Sequence, residues 1–136
     1  MTARRYAEDT KVPVGQSHGE LREMLRKAGA GRIGIFEEPD GSGCLMFEFA
    51  SRAYRLQVPS QAKAKSPDQE QRRLWRLMVL LVKAKLHAVQ EGATTIEAEF
   101  LSATVMPSGQ TLLEEARPAI ADAMKRRGPL MLGFAG

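Results

Sequence analysis

The chain has 136 residues, 43% of them hydrophobic and 26% charged, which suits one globular domain able to bury a core without staples. A net charge of +4 and a pI near 9.5 lean toward a polyanionic partner such as nucleic acid, although 16 acids offset the 20 bases. A single cysteine excludes an internal disulfide, and no apolar run nears the ~20 residues of a membrane span.

The N-terminal MTARRYAEDTKVP is basic without the apolar block of a secretory signal, so the expected setting is the cytoplasm of a host cell, with no membrane partner. Residues 1–10 have no periodicity and are expected to be flexible, leaving 11–136 as one domain. Lys11 to Val14 reads as a short extended arm. Ser17-His-Gly-Glu20 then has the spacing of a capping box, predicting a helix that starts there. Leu21, Met24, Leu25 and Ala28 give its apolar face, and Gly29 its stop.

A meander of strands is expected next. Ile33 to Glu37 is short and β-branched, and Pro39-Asp-Gly-Ser42 is turn chemistry. Cys44–Ala50 and Ala53–Val58 alternate around a reversal at Ser51-Arg52. The implied register sets Phe49 opposite Tyr54, Phe47 opposite Leu56, Leu45 opposite Val58 and Glu48 opposite Arg55. Ser-Arg is not favoured in the primed turns, which leaves the turn type open.

The polar linker PSQAKAKSP, with Lys63 and Lys65, leads into a long helix from about Asp68 to Glu91. Thr94-Thr-Ile-Glu97 repeats the capping-box spacing ahead of a short helix, with a strand over Ala98–Val105 as the competing reading. Thr111-Leu-Leu-Glu114 opens a last helix that Pro118 should kink or divide and that ends at Lys125-Arg-Arg-Gly128. The tail PLMLGFAG is expected to dock on the body. The predicted fold is α+β: a short antiparallel three-stranded sheet packed on a long central helix with additional helices, in the order α-β-β-β-α-α-α.

On the long helix Arg72, Arg76, Lys83, His87 and Gln90 fall in a sector of roughly 60°, with Arg73 at its edge. Trp75, Met78, Val79, Leu81, Val82, Leu86 and Val89 spread over much of the rest. So wide an apolar arc needs cover on at least two sides: the strands on one, and a further helix or a second copy of the chain on the other. Lys85 falls inside that arc. Three readings are open for it: a snorkelling head (favoured), an ion pair with Glu97 or Glu99, or a catalytic lysine.

No acid interrupts Arg72, Arg73, Arg76 and Lys83 until Glu91, so this stripe is the candidate phosphate contact, assisted by Lys63 and Lys65. Two histidines and one cysteine do not make a zinc site, and no phosphate-binding glycine loop is present. Glu97 with Glu99, and Glu114 with Glu115, are acids of the kind that hold magnesium, but both pairs sit at helix starts where acids are favoured anyway. The expectation is a protein with no catalytic residues, no metal and no cofactor.

Helix, three antiparallel strands and a long helix is also the element order of the double-stranded-RNA-binding domain, which the chain resembles in that order alone. The resemblance would place phosphate contacts at Lys63, Lys65, Arg72 and Arg73, where QAKAKSPDQEQRR stands in place of the glycine-serine-lysine-lysine signature. The segments KVPVGQSHGELREML, RRLWRLMVLLVKAKLHAVQEG and TTIEAEFLSATVMPSGQT, with Pro118-Ala-Ile120 after them, resemble a family of small phage and prophage proteins of unassigned function. That resemblance implies a phage or mobile-element setting. The function expected is a non-enzymatic nucleic-acid-binding accessory protein for DNA replication, recombination or host takeover, with DNA favoured over RNA. The alternative is a module that binds or inhibits a host or phage protein, in one version as a homo-oligomer.

Overall fold

The computed structural model describes residues 10–132, so the expected flexible segment lies outside it except for Thr10. Helix α1 (Val14–Ala28) begins three residues before the predicted box. Pro13 is its N-cap, in extended conformation, and the Pro13 carbonyl accepts from the amides of Gln16 and Ser17. Ser17 is therefore inside the helix and fully buried, its hydroxyl unpartnered, and Glu20 is free to point elsewhere. The capping-box reading of Ser17 and Glu20 is corrected: a proline that pre-sets its own dihedral opens this helix instead. Gly29, at φ 97°, closes it as expected.

Strands β1 (Ile33–Glu37), β2 (Gly43–Phe49) and β3 (Arg52–Val58) form an antiparallel sheet in the order β1-β2-β3. The β2–β3 reversal sits at Ala50-Ser51, both at positive φ (51° and 63°), as a type I′ turn demands. Phe47 consequently faces Tyr54, Leu45 faces Leu56, and Arg55 faces Met46 instead of Glu48. This corrects the predicted register by two residues. A slide of two leaves every side chain on its predicted face, because the pleat repeats every two residues. It also stacks the rings of Phe47 and Tyr54, with centroids 5.6 Å apart.

Helix α2 (Pro67–Gln90) carries Pro67 in its first turn, where a missing amide loses nothing. It packs beside α1, and together they cover one face of the sheet. The core is Leu21 and Leu25 from α1, Leu45, Phe47, Tyr54 and Val58 from the sheet, and Trp75, Met78, Val79 and Val82 from α2. Gly43 lies under Trp75: a Cβ there would sit 2.3 Å from the Phe36 carbonyl oxygen and 3.4 Å from the indole.

The short α3 (Ile96–Glu99) is capped by Thr95, one residue later than the predicted box, and a 3₁₀ turn follows over Leu101–Ala103. Between them Phe100 is driven edge-on against Phe47 at 5.1 Å and closes that end of the core. The competing strand survives as two single bridges, Tyr54 to Thr104 and Val105 to Thr111.

Helix α4 (Leu112–Arg126) runs through Pro118 as one helix, and its Thr111–Glu114 capping box is complete. It packs mainly on the 3₁₀ turn and has no buried residue. Leu113, Ile120 and Met124 are exposed, as are Leu130 and Met131 beyond it. Of the tail expected to dock, Leu130 and Met131 are exposed and Leu132 is half-buried, while residues 133–136 lie outside the described chain. The α+β class and the element order α-β-β-β-α-α-α are as predicted.

Candidate interaction surface of the central helix

Arg72, Arg76 and Lys83 share one flank of α2, the flank turned toward α1. Arg76 reaches across to Glu20 of α1 with both terminal nitrogens, and this guanidinium holds the Glu20 carboxyl below the ordinary carboxylate range. Arg72 donates to Gln69 Oε1 at 2.7 Å. Arg73, further round, pairs with Glu70, and the Arg73 and Arg76 side chains are only 15% and 16% exposed. A phosphate would have to displace a carboxylate from each of these two arginines. Lys63, Lys65 and Lys83 are exposed. The first two lie in the loop before α2. A cleft of about 400 Å³ does bring Arg72 together with Lys11, but Asp68 also lines it.

Lys85 is on the opposite flank. Its ammonium donates to the Glu99 carbonyl at 2.9 Å, lies 3.8 Å from the Glu99 carboxylate and sits 5.7 Å from the Phe100 ring centroid. The ion-pair reading replaces the favoured snorkelling one, because α3 brings its own acid to the half-buried head. Lys85 clips α3 onto α2.

The remaining chemical candidates also have structural partners. Glu97 pairs with Arg52; Glu114 takes up Arg55 and its own helix cap; Glu115 accepts from Ser108. Hydrogen bonds from the Thr111 amide and hydroxyl, then Arg55, hold the Glu114 carboxyl below its usual range. Burial pushes the Cys44 thiol up, away from the thiolate a nucleophile needs. His18 stands edge-on to Trp75, with centroids 4.3 Å apart. Its Nε2 is 3.3 Å from Glu37 Oε1, within ion-pair range but outside hydrogen-bond geometry. Burial lowers its pKa more than Glu37 raises it. Among the described residues no three His, Cys, Asp or Glu side chains are grouped to hold a metal ion.

The most unusual surface is one the cationic pattern hides. Leu74, Leu77, Leu81, Ala84 and Ala88 recur at intervals of three and four along the back of α2, the heptad spacing of a helix-pairing seam. Leu80 and Leu81 are 44% and 43% exposed. The first four seam residues, with Leu80, Met78 and the β3 end at Val58 and Pro59, line an apolar groove of about 550 Å³. Helix α1, with α3 on the other flank, supplies the second cover that the wide apolar arc called for, and among the described residues this back face still lies open beyond it. The apolar arc read from the sequence took in Leu81 but left out Leu74, Leu77, Leu80 and Ala84, so the seam was missed; the three-four spacing of Leu74, Leu77, Leu81, Ala84 and Ala88 was the available signal.

Comparisons with protein-family models, with curated proteins and with solved structures return no match for this chain. Among the described residues no helix is long and apolar enough to cross a membrane.

Proposed function

We propose that this chain is a non-enzymatic protein-binding module whose contact surface is the apolar back of α2. The observation that carries this reading is the apolar groove along the back of α2, where Leu80, Leu81 and Ala84 are exposed and the half-buried Leu74 and Leu77 form its floor against the end of β3. A contiguous apolar groove on a long, rigid helix is what helix-in-groove recognition uses, and a solitary protein has little reason to keep it. In the phage or mobile-element setting implied by the sequence resemblance, such a module serves as an assembly subunit or as an inhibitor of a host protein.

The rival is phosphate binding, supported by the net charge of +4 and by exposed Lys63, Lys65 and Lys83. It has less to work with, since Arg73 and Arg76 already carry carboxylates. Two measurements separate the readings. A photoreactive residue at Leu81 should give protein adducts in the expressing cell, whereas one at Lys27 should give none. Labelled single- and double-stranded DNA and RNA should show no complex whose affinity falls steeply with salt. A steep salt slope that Lys63, Lys65 and Lys83→Glu removes, with no adduct at Leu81, would replace this reading with the rival.

A further inference from the structure

Resting on that reading, we propose that the partner of the α2 seam is a second copy of this chain, crossing antiparallel about a two-fold axis beside Leu80. Three features of the seam favour its own copy. The first is the distribution of size: the leucines lie in its first half (Leu74, Leu77, Leu81) and the alanines in its second (Ala84, Ala88). Antiparallel pairing centred between Leu77 and Leu81 sets Leu77 of one copy against Leu81 of the other, and Leu74 against Ala84. The four inner layers then each hold at least one leucine, and only the outermost pair sets Ala88 opposite Glu70. Parallel pairing would stack alanine on alanine and leave the C-terminal half thin. Size matching of this kind is what close packing between helices requires.

The second feature is charge. The protein is a cation overall, yet from Leu74 to Ala88 the seam positions carry no charge. Lys83 lies on the α1 flank and Lys85 is turned to Glu99. Two positively charged copies can therefore approach through this face without setting cation against cation along the seam. The antiparallel crossing also opposes the two helix dipoles.

The third feature is area. A helix of 24 residues is about 36 Å long at 1.5 Å per residue, and half the girth of a 10–12 Å cylinder is about 17 Å. Full overlap thus buries at most about 600 Å² on each copy, since Leu74, Leu77 and Ala88 are already half-buried, and this ceiling of about 1,200 Å² in all reaches the roughly 1,000 Å² expected of a specific interface. The β3 end at Val58 and Pro59 adds to this as the groove wall.

The test uses the full chain at rising concentration, with mass read by sedimentation or light scattering. The expected species has twice the monomer mass of 15.0 kDa. Leu81→Asp should weaken association on the order of 100-fold or more, because it buries a charge at the centre of the contact. Ala84→Glu gives a second variant should the first fold poorly, with circular dichroism as the check. In a Cys44→Ala background, Leu80→Cys should oxidise to a covalent dimer and Lys27→Cys should not. A dimer that survives both charge variants and gives no Leu80→Cys cross-link overturns the assignment to this seam. A chain that stays monomeric at every concentration overturns self-pairing. In that case a photoadduct from Leu81 to a different protein leaves the protein-binding reading standing, whereas no adduct at all removes both.

Discussion

Leu81 and Val82 are neighbours in sequence and similar in hydropathy, yet Val82 is fully buried and Leu81 is 43% exposed. They belong to two apolar faces of α2. The inward face (Trp75, Met78, Val79, Val82) closes over the sheet and α1. The back face (Leu74, Leu77, Leu80, Leu81, Ala84) forms an open groove. Composition cannot tell these faces apart, since each looks like core. What separates them is the supply of other elements: three strands and a helix meet the inward face, whereas α4 packs away on the 3₁₀ turn. A helix apolar on two faces therefore has one that serves folding and one left over for something outside the chain.

A charge introduced at neighbouring positions separates the two faces most sharply. Val82→Asp should leave the chain largely unfolded, because an unpaired buried carboxylate costs several kcal/mol against a total stability of about 5–15 kcal/mol. Leu81→Asp should change the folding stability of the dilute monomer by no more than about 0.5 kcal/mol, while removing association. Denaturant melts at low concentration, with far-UV circular dichroism as the signal, check both. Equal destabilisation by the two substitutions would mean that the back face is core after all.

Two charged flanks lie between these faces. Arg76→Ala strips the two-pronged contact to Glu20 and should cost about 1–2 kcal/mol, since charge-assisted bonds from a mostly buried guanidinium exceed the surface norm. On the other flank Lys85→Ala should cost about 1 kcal/mol by releasing α3, whose Glu99 would keep only the bond from the Thr94 hydroxyl. Faster amide exchange confined to α3 and the 3₁₀ turn would locate that second effect. If Arg76→Ala instead proved neutral to stability while lowering affinity for DNA, the cationic flank would be a binding surface and the division of labour proposed for α2 would fail.

The sequence was legible where local chemistry dictates the outcome. The Thr111–Glu114 box, the Gly29 stop, the strand alternation and the long helix all depend on neighbours in the chain. The errors came from competition between local signals or from distant partners. Ser17 and Glu20 had the capping spacing, but Pro13 opened the helix first. Ser51-Arg52 lost the turn to Ala50-Ser51 because the stacking of Phe47 on Tyr54 belongs to the other register. Arg72, Arg73 and Arg76 were recognisable as a stripe of one sign, yet Glu20, 56 positions away, arrives only through the packing of α1 on α2. Acids that neutralise a basic stripe from another element leave no mark on its own pattern.

The smallest expected effect lies on the inward face and reads it by titration. His18 is held against Trp75, the chain's one tryptophan, and burial depresses its pKa below the ordinary 6.5. Between 6.5 and that lowered value the unfolded chain binds more protons than the folded one, so stability rises with pH across the window. Acidification should therefore begin to remove the His18 contribution just below pH 6.5, and the loss should be complete once pH passes the folded pKa. Glu37 at 3.3 Å opposes the depression, which keeps the effect modest. Tryptophan emission followed from pH 8 to 5 should report the protonation of His18 directly. His18→Gln should flatten that titration and the matching segment of the stability curve, while the two-fold association through the back face stays unchanged. Loss of the dimer on protonating His18 would instead show that the two faces of α2 are energetically coupled and not independent.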